Sequence, residues 1–189
     1  MNDKPFSVVF VCTGNRFRSP LAAALMRQQT IGLPVEVGSV GTLDVGAAPV
    51  LQGAAAAADS LGLDLADHRA KHLAGSDLGS VDLVVGFERI HVATAVVEAG
   101  AQRSRSFTLP ELVVLLEEDE TVEPGGLEIG PAEIARGRVR RAAAGRTREV
   151  ATDHAPELSD PLGLPLDQQR QTAERVRDLT MRLARELFG

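Results

Sequence analysis

The chain has 189 residues, 44% of them hydrophobic, with 20 Lys plus Arg against 26 Asp plus Glu and a formal charge of −6. Its one cysteine excludes an intrachain disulfide, a multi-cysteine zinc site and an iron–sulfur cluster, and the acidic balance speaks against a nucleic-acid binder. No run of about 18 apolar residues is present to span a membrane, and the start of the chain lacks a secretory signal pattern, so a cytoplasmic domain is expected.

The length suits one domain over residues 1–189. Ser7-Val8-Val9-Phe10-Val11 is a β-branched and aromatic run without polar alternation, the pattern of a strand buried on both faces. It leads into Cys12-Thr13-Gly14-Asn15-Arg16-Phe17-Arg18, after which Ser19 as cap and Pro20 as first helical residue predict a helix through Met26. Val35 to Ser39 reads as a second strand, and Pro49 to Leu61 as an alanine-rich helix stopped near Gly62. Leu83 to Gly86 is a third strand, followed by a helix over Glu88 to Glu98. Ser106 to Leu109 is a short fourth strand leading into a helix over Pro110 to Glu117.

A charged insert occupies about 117–158. It opens on Glu117-Glu118-Asp119-Glu120, passes Pro124-Gly125-Gly126 and continues with Arg136, Arg138, Arg140, Arg141, Arg146 and Arg148. Opposed charge blocks of this kind read as a solvated, self-neutralising surface, or as a docking surface for an anionic partner. The last helix, Leu166 to Phe188, carries one apolar stripe at Val176, Leu179, Leu183 and Leu187. Strands alternating with helices imply an α/β fold, a mostly parallel sheet covered on both faces. Ligands in such folds bind outside the carboxyl ends of strands, where Cys12 stands.

That position allows two readings of Cys12, inert packing or the centre of the chemistry. Gly14 in a tight strand-to-helix connection lets backbone N–H groups point inward as an anion nest, and the helix that follows presents its positive end. Arg18 can close the cradle with a planar fork matched to two phosphate oxygens. A thiol in that field favours its thiolate, and Ser19 can donate a hydrogen bond to the sulfur.

The stretch Val9 to Pro20 resembles the signature of low-molecular-weight protein tyrosine phosphatases: Cys, five residues, Arg, then Ser or Thr, directly after the first strand. Ser39-Val40-Gly41-Thr42, Asp67-His68-Arg69-Ala70, Phe107 to Glu111 and the late pair Asp160-Pro161 resemble further family segments. The resemblance implies a three-layer α/β fold, with a central four-stranded parallel sheet and the phosphate-binding loop after strand 1. It implies phosphomonoester hydrolysis through a cysteinyl-phosphate, with Cys12 as nucleophile, Arg18 as anion holder and Asp160 as proton donor and then base. Thr13, Gly14, Asn15, Arg16, Phe17 and Ser19 would line the substrate site, Leu43 and Leu162 would wall it, and Ser39 and His68 would brace the loop with Asn15. A phosphorylated protein is the implied partner, with phosphate or another oxyanion in the loop; neither metal nor cofactor, nucleic acid nor membrane is called for.

Three departures bear on substrate. The aromatic residues that wall a phosphotyrosine pocket are replaced by Leu43 or Asp44 and by Leu162-Gly163, at about 0.5–1.5 kcal/mol per lost aromatic pair. Arg16 puts a cation on the wall, unfavourable to phosphoarginine and favourable to extra negative charge, unless a carboxylate neutralises it. Phe17 replaces a cysteine that often traps the oxidised nucleophile. Arsenate reduction with an external small thiol, or phosphate binding with weak turnover, are the alternatives. His72, His91 and His154 read as surface residues.

Overall fold

In the computed structural model, residues 4–119, 129–146 and 156–189 are described. Four strands, β1 (Phe6–Cys12), β2 (Val35–Gly41), β3 (Leu83–Gly86) and β4 (Ser106–Thr108), form one sheet in the order β2-β1-β3-β4. Every pairing is parallel. The chain leaves β1 for β2 on one side and later crosses to β3 on the other. That reversal opens a crevice beyond the carboxyl end of β1, the place where open α/β sheets receive ligands. Cys12 is the last residue of β1.

Alternation along β1 feeds two cores. Phe6, Val8, Phe10 and Cys12 join the larger, with side chains of α1 (Arg18–Gln29), α4 (Leu109–Glu117), α5 (Pro131–Gly145) and α6 (Leu166–Phe188). Val11 faces the other way, with Val40, Leu73, Val84 and residues of α3 (Arg89–Ala99). Helices therefore cover both faces, as the alternating sequence requires. The stripe of α6 is fully sequestered at Val176, Leu179, Leu183 and Leu187, each contributing about 1.5–3 kcal/mol by burial.

Two expected helix starts move by more than one residue. α1 starts at Arg18, with Phe17 as N-cap and no side-chain cap; Pro20 is its third residue, where a missing N–H still costs no helical bond. The hydroxyl of Ser19 is turned into the preceding loop instead of capping. α2 (Gln52–Ser60) starts after Leu51, since Leu51 donates its N–H to the Arg16 carbonyl at 2.9 Å and is extended.

The basic part of the charged segment is not simply a solvated surface. α5 buries Ala132, Ala135, Val139 and Ala142 in the larger core. Its arginines are anchored largely beyond the acidic block: Arg136 on Asp82 at 3.0 Å, Arg146 on Glu111 at 2.7 Å, Arg141 on Asp119 at 2.6 Å. Glu120, Pro124 to Gly126, Arg148 and His154 lie outside the described residues.

Candidate active site

The loop between β1 and α1 is stitched to the extension of β2. Thr42 and Leu43 donate their N–H groups to the carbonyls of Cys12 and Thr13, at 2.9 and 2.8 Å. Gly41 permits this approach: a Cβ there would stand 2.8 Å from the Thr13 carbonyl oxygen and 3.0 Å from the Asn15 nitrogen. The left-handed turn within the loop falls on Asn15, at φ 51°, and not on Gly14. Asparagine tolerates that region far better than residues with bulkier side chains.

Asn15 is fully buried and hydrogen-bonded on every side. Its Nδ2 donates to Ser19 Oγ at 2.8 Å and Ser39 Oγ at 2.9 Å, while Oδ1 accepts from the Lys71 N–H at 2.9 Å. His68 Nε2 lies 2.8 Å from the Asn15 carbonyl oxygen and, facing an acceptor, carries the ring proton. Burial first, then that hydrogen bond in opposition and three nearby cations, leave the His68 pKa below its ordinary value.

Cys12 is 2% exposed, with Sγ 3.0 Å from Ser19 Oγ. Because Ser19 Oγ already accepts from Asn15, its own proton has the sulfur at 3.0 Å and, further off, the Val40 carbonyl at 3.5 Å to point at. Among the described residues, no backbone N–H from Gly14 to Phe17 donates to a protein acceptor. The open side of the turn thus carries unused donors beside a thiol, an arrangement suited to an oxyanion.

Arg18 is 1% exposed. Its Nη1 donates to Glu88 Oε2 at 2.6 Å and to the Leu158 carbonyl at 2.7 Å. Nη2 donates to Thr13 Oγ1 at 3.2 Å and to Asp160 Oδ2 at 2.6 Å. Nε is buried and, among the described residues, has no partner. The guanidinium is thus gripped at one edge, while the Nε–Nη2 edge, the fork that takes two oxygens of an anion, is half filled by Asp160. The other Asp160 oxygen accepts the N–H of Leu162 at 3.0 Å.

Other expectations fare differently. Phe17 is buried in the core, close enough that a Cβ on Gly53 would meet its ring at 3.1 Å; only its backbone belongs to the loop. Leu43 and Leu162 are 56% and 67% exposed, a rim and not closed walls. Arg16 donates Nε to the Pro49 carbonyl at 2.7 Å and, among the described residues, meets no carboxylate. His72 is half-buried, 3.3 Å from the Thr42 carbonyl oxygen.

His91 overturns its reading as a surface residue: it is 1% exposed. Its Nε2 lies 3.1 Å from Thr13 Oγ1 and 3.5 Å from Glu88 Oε2. Burial first, then the charge of Arg18, push its pKa down to about 4, against the pull of Asp160 and Glu157. Glu88 and His91 were both missed as site residues. The available signal was their place, three apart just past the carboxyl end of β3, which neighbours β1 in the sheet.

No helix among the described residues is long and apolar enough to cross a membrane. Sheet order, left-handed turn and unused donors define a doubly wound α/β protein with a loop suited to an oxyanion at its switch point. A sequence profile described as low molecular weight phosphotyrosine protein phosphatase matches residues 7–129. The chain belongs to that family. It is 35% identical over 79 residues to the Ralstonia nicotianae protein named probable low molecular weight protein-tyrosine-phosphatase EpsP, covering 42% of this chain and 53% of the relative. The chain thus spans about half the length of that curated relative. The protein-arginine-phosphatase of Geobacillus stearothermophilus is 31% identical over 133 residues, covering 70% of this chain and 85% of the relative. The crystal structure of the low molecular weight protein tyrosine phosphatase from T. tengcongensis superimposes with a TM-score of 0.66 at 28% identity, over 94% of this chain and 97% of that one.

Proposed function

We propose that the chain is a cysteine-dependent phosphomonoester hydrolase acting on phosphorylated protein, with phosphotyrosine as the preferred residue. The carrying observation is the juxtaposition of Cys12 Sγ with unused loop N–H groups and the unpartnered Nε of Arg18. A phosphoryl group seated there meets donors for its equatorial oxygens and a sulfur below phosphorus, and positioning with charge neutralisation is the main demand of phosphoryl transfer.

The reaction has two displacements. The Cys12 thiolate attacks phosphorus, the S–P bond forms, and the P–O bond to the leaving group breaks with its electron pair going to oxygen. Protonated Asp160 gives its proton to that oxygen. Water then attacks phosphorus, Asp160 takes a proton from it, and the P–S bond breaks to return thiolate and inorganic phosphate. Ser19 stabilises the thiolate at both ends, while Asn15, Ser39 and His68 hold the loop in its left-handed turn.

On substrate, the charge of Arg16 favours a phosphorylated residue with acidic neighbours and disfavours the cationic guanidine of phosphoarginine. The leucine rim still accepts an aromatic ring by apolar contact. A cytoplasmic protein substrate is in keeping with this reading, and nucleic acid is not. The family's named relatives, tyrosine and arginine phosphatases, support hydrolysis over arsenate reduction.

The test is turnover of a small aryl phosphate by wild type, Cys12→Ser and Asp160→Asn. Loss in Cys12→Ser and strong slowing in Asp160→Asn is expected; full activity in Cys12→Ser would sink the mechanism. Phosphotyrosine and phosphoarginine peptides, and arsenate with a thiol, then rank the substrates.

A further inference from the structure

We propose that His91 is a positioning residue of the phosphate loop, acting through Thr13 on the anion-binding edge of Arg18. The inference rests on the phosphatase reading and adds to it a residue behind the loop that touches neither sulfur nor anion.

The argument begins with the ring's proton. His91 is the third residue of α3, and its Nδ1 receives the backbone N–H groups of Phe87 at 3.3 Å and Glu88 at 3.1 Å. Both partners are donors only, so Nδ1 is bare. A neutral imidazole with a bare Nδ1 carries its proton on Nε2. Nε2 therefore donates to Thr13 Oγ1, 3.1 Å away. Glu88 Oε2, the other acceptor near that nitrogen, lies further off at 3.5 Å and is engaged by Arg18 at 2.6 Å.

Thr13 Oγ1 accepts a second hydrogen bond, from Arg18 Nη2 at 3.2 Å. With both acceptor sites used, the hydroxyl cannot rotate to serve either donor with its proton instead. The threonine is thus clamped between imidazole and guanidinium. Arg18 is gripped at Nη1 by Glu88 and the Leu158 carbonyl, and at one hydrogen of Nη2 by Thr13. What remains for an anion is the Nε hydrogen, which has no partner among the described residues, and the Nη2 hydrogen that Asp160 holds at 2.6 Å. His91 sets how that edge faces because it sets Thr13. Without it, Thr13 can turn, and the plane of the fork loses one of the contacts that define it. Misaimed donors cost rate because catalytic groups act only when pre-organised.

A plain structural role is the competitor, since the same ring caps α3. Two substitutions separate the roles. His91→Asn places an amide oxygen near the site of Nδ1, keeping the cap and losing the donor to Thr13. His91→Gln places an amide nitrogen near the site of Nε2, keeping the donor and losing the cap. Thr13→Val removes the shared acceptor. Each is assayed for kcat and KM on a small aryl phosphate, for inorganic phosphate affinity by calorimetry, and for Tm.

The expected result is that His91→Asn lowers kcat/KM and phosphate affinity about tenfold, with Tm within about 4 °C of wild type. Thr13→Val should do the same, and the double variant His91→Asn with Thr13→Val should be no worse than either single one. His91→Gln should recover most of the phosphate affinity at a lower Tm. Additive losses in the double variant, or wild-type phosphate affinity in Thr13→Val, would overturn the proposal; the second outcome decides even if His91→Asn fails to fold. If wild type binds phosphate yet turns over no aryl phosphate, the phosphatase reading fails, and the calorimetric arm still judges the positioning role.

Discussion

Arg18 Nη2 and Asp160 Oδ2 stand 2.6 Å apart, although 142 residues of chain separate them. Nε of the same guanidinium is buried with no partner among the described residues. The chain's own carboxylate therefore occupies half of the fork that an anion needs, and the other half waits. In the proposed mechanism, a phosphoryl group that takes both hydrogens releases Asp160 to the leaving oxygen, so that anion binding and delivery of the acid are coupled through one guanidinium.

Asp160→Asn should separate the two consequences of that pairing. Turnover of an aryl phosphate with a poor leaving group should fall by about 10²–10³, the usual contribution of a placed general acid. Inorganic phosphate should inhibit more tightly than in wild type, because a neutral amide competes less well for Arg18 than a carboxylate does. Steady-state inhibition measures both. Unchanged or weaker phosphate inhibition would contradict the displacement.

Asn15→Ala should be among the most damaging single substitutions away from the sulfur. It strips Ser39 Oγ, Ser19 Oγ and the Lys71 N–H of a common partner, and it forces alanine into φ 51°. Together these cost about 3 kcal/mol, a fall in Tm of about 9 °C. Asn15→Gly relieves only the backbone component and should fall between. Thermal melts rank the three proteins.

Acidification should weaken the fold well above the carboxylate range. The folded pKa of His91 is depressed to about 4 from 6.5, so the unfolded chain binds more protons between those values. This contribution is complete above about pH 6.5 and is lost as pH falls toward 4. A depression of that size corresponds to about 3 kcal/mol, and His68 acts in the same direction. Urea melts at pH 7.0 and 4.5 should show the loss, and His91→Asn should show much less of it.

Arg16→Glu should invert preference among phosphopeptides. The Arg16 guanidinium spends Nε on the Pro49 carbonyl and meets no carboxylate among the described residues, so its charge is available to substrate. Reversal should lower kcat/KM for a phosphotyrosine peptide with acidic neighbours about tenfold relative to one with neutral neighbours. The gap should shrink with added salt. Equal effects on both peptides would remove Arg16 from specificity.

Asp82→Asn should destabilise the sheet at the end opposite the loop. Asp82 receives Arg136 from α5 together with the N–H and hydroxyl of Ser7. Burial works against ionisation, yet those donors prevail and hold its pKa below the usual carboxylate value. Losing the charge leaves Arg136 poorly compensated at a cost of about 2 kcal/mol, measurable by urea melts near neutral pH. The penalty should vanish below the carboxylate range, where wild type is itself protonated.

Much of the architecture was legible because its signals are local. A buried strand, an adjacent tight loop and the periodicity of α6 each depend on residues within a few positions of one another. Errors arose where two local rules competed. Ser19 has the composition of a helix cap, but its hydroxyl instead meets the Cys12 sulfur, and the helix starts at Arg18, two residues before the expected Pro20. Gly14 reads as the residue that lets the tight loop form, yet the left-handed residue is Asn15, whose buried amide bonds Ser19 Oγ, Ser39 Oγ and the Lys71 N–H. The arginines of α5 look solvated in a charged stretch, yet their helix buries an alanine and valine face.

What the sequence determined by itself is the loop: Cys12 at the end of a buried strand, Arg18 six residues on, and Gly14 between them. Chain connectivity alone keeps these residues close. The surroundings of Arg18 were decided only by tertiary structure. Glu88 reaches it across 70 residues and His91 reaches Thr13 across 78; the sequence marks their spacing of three past β3 but not which side chains they meet. They meet because β3 pairs with β1 in the sheet, setting the start of α3 beside the phosphate loop. A histidine beyond a strand looks alike in sequence whether it faces water or a threonine; the strand order makes the difference.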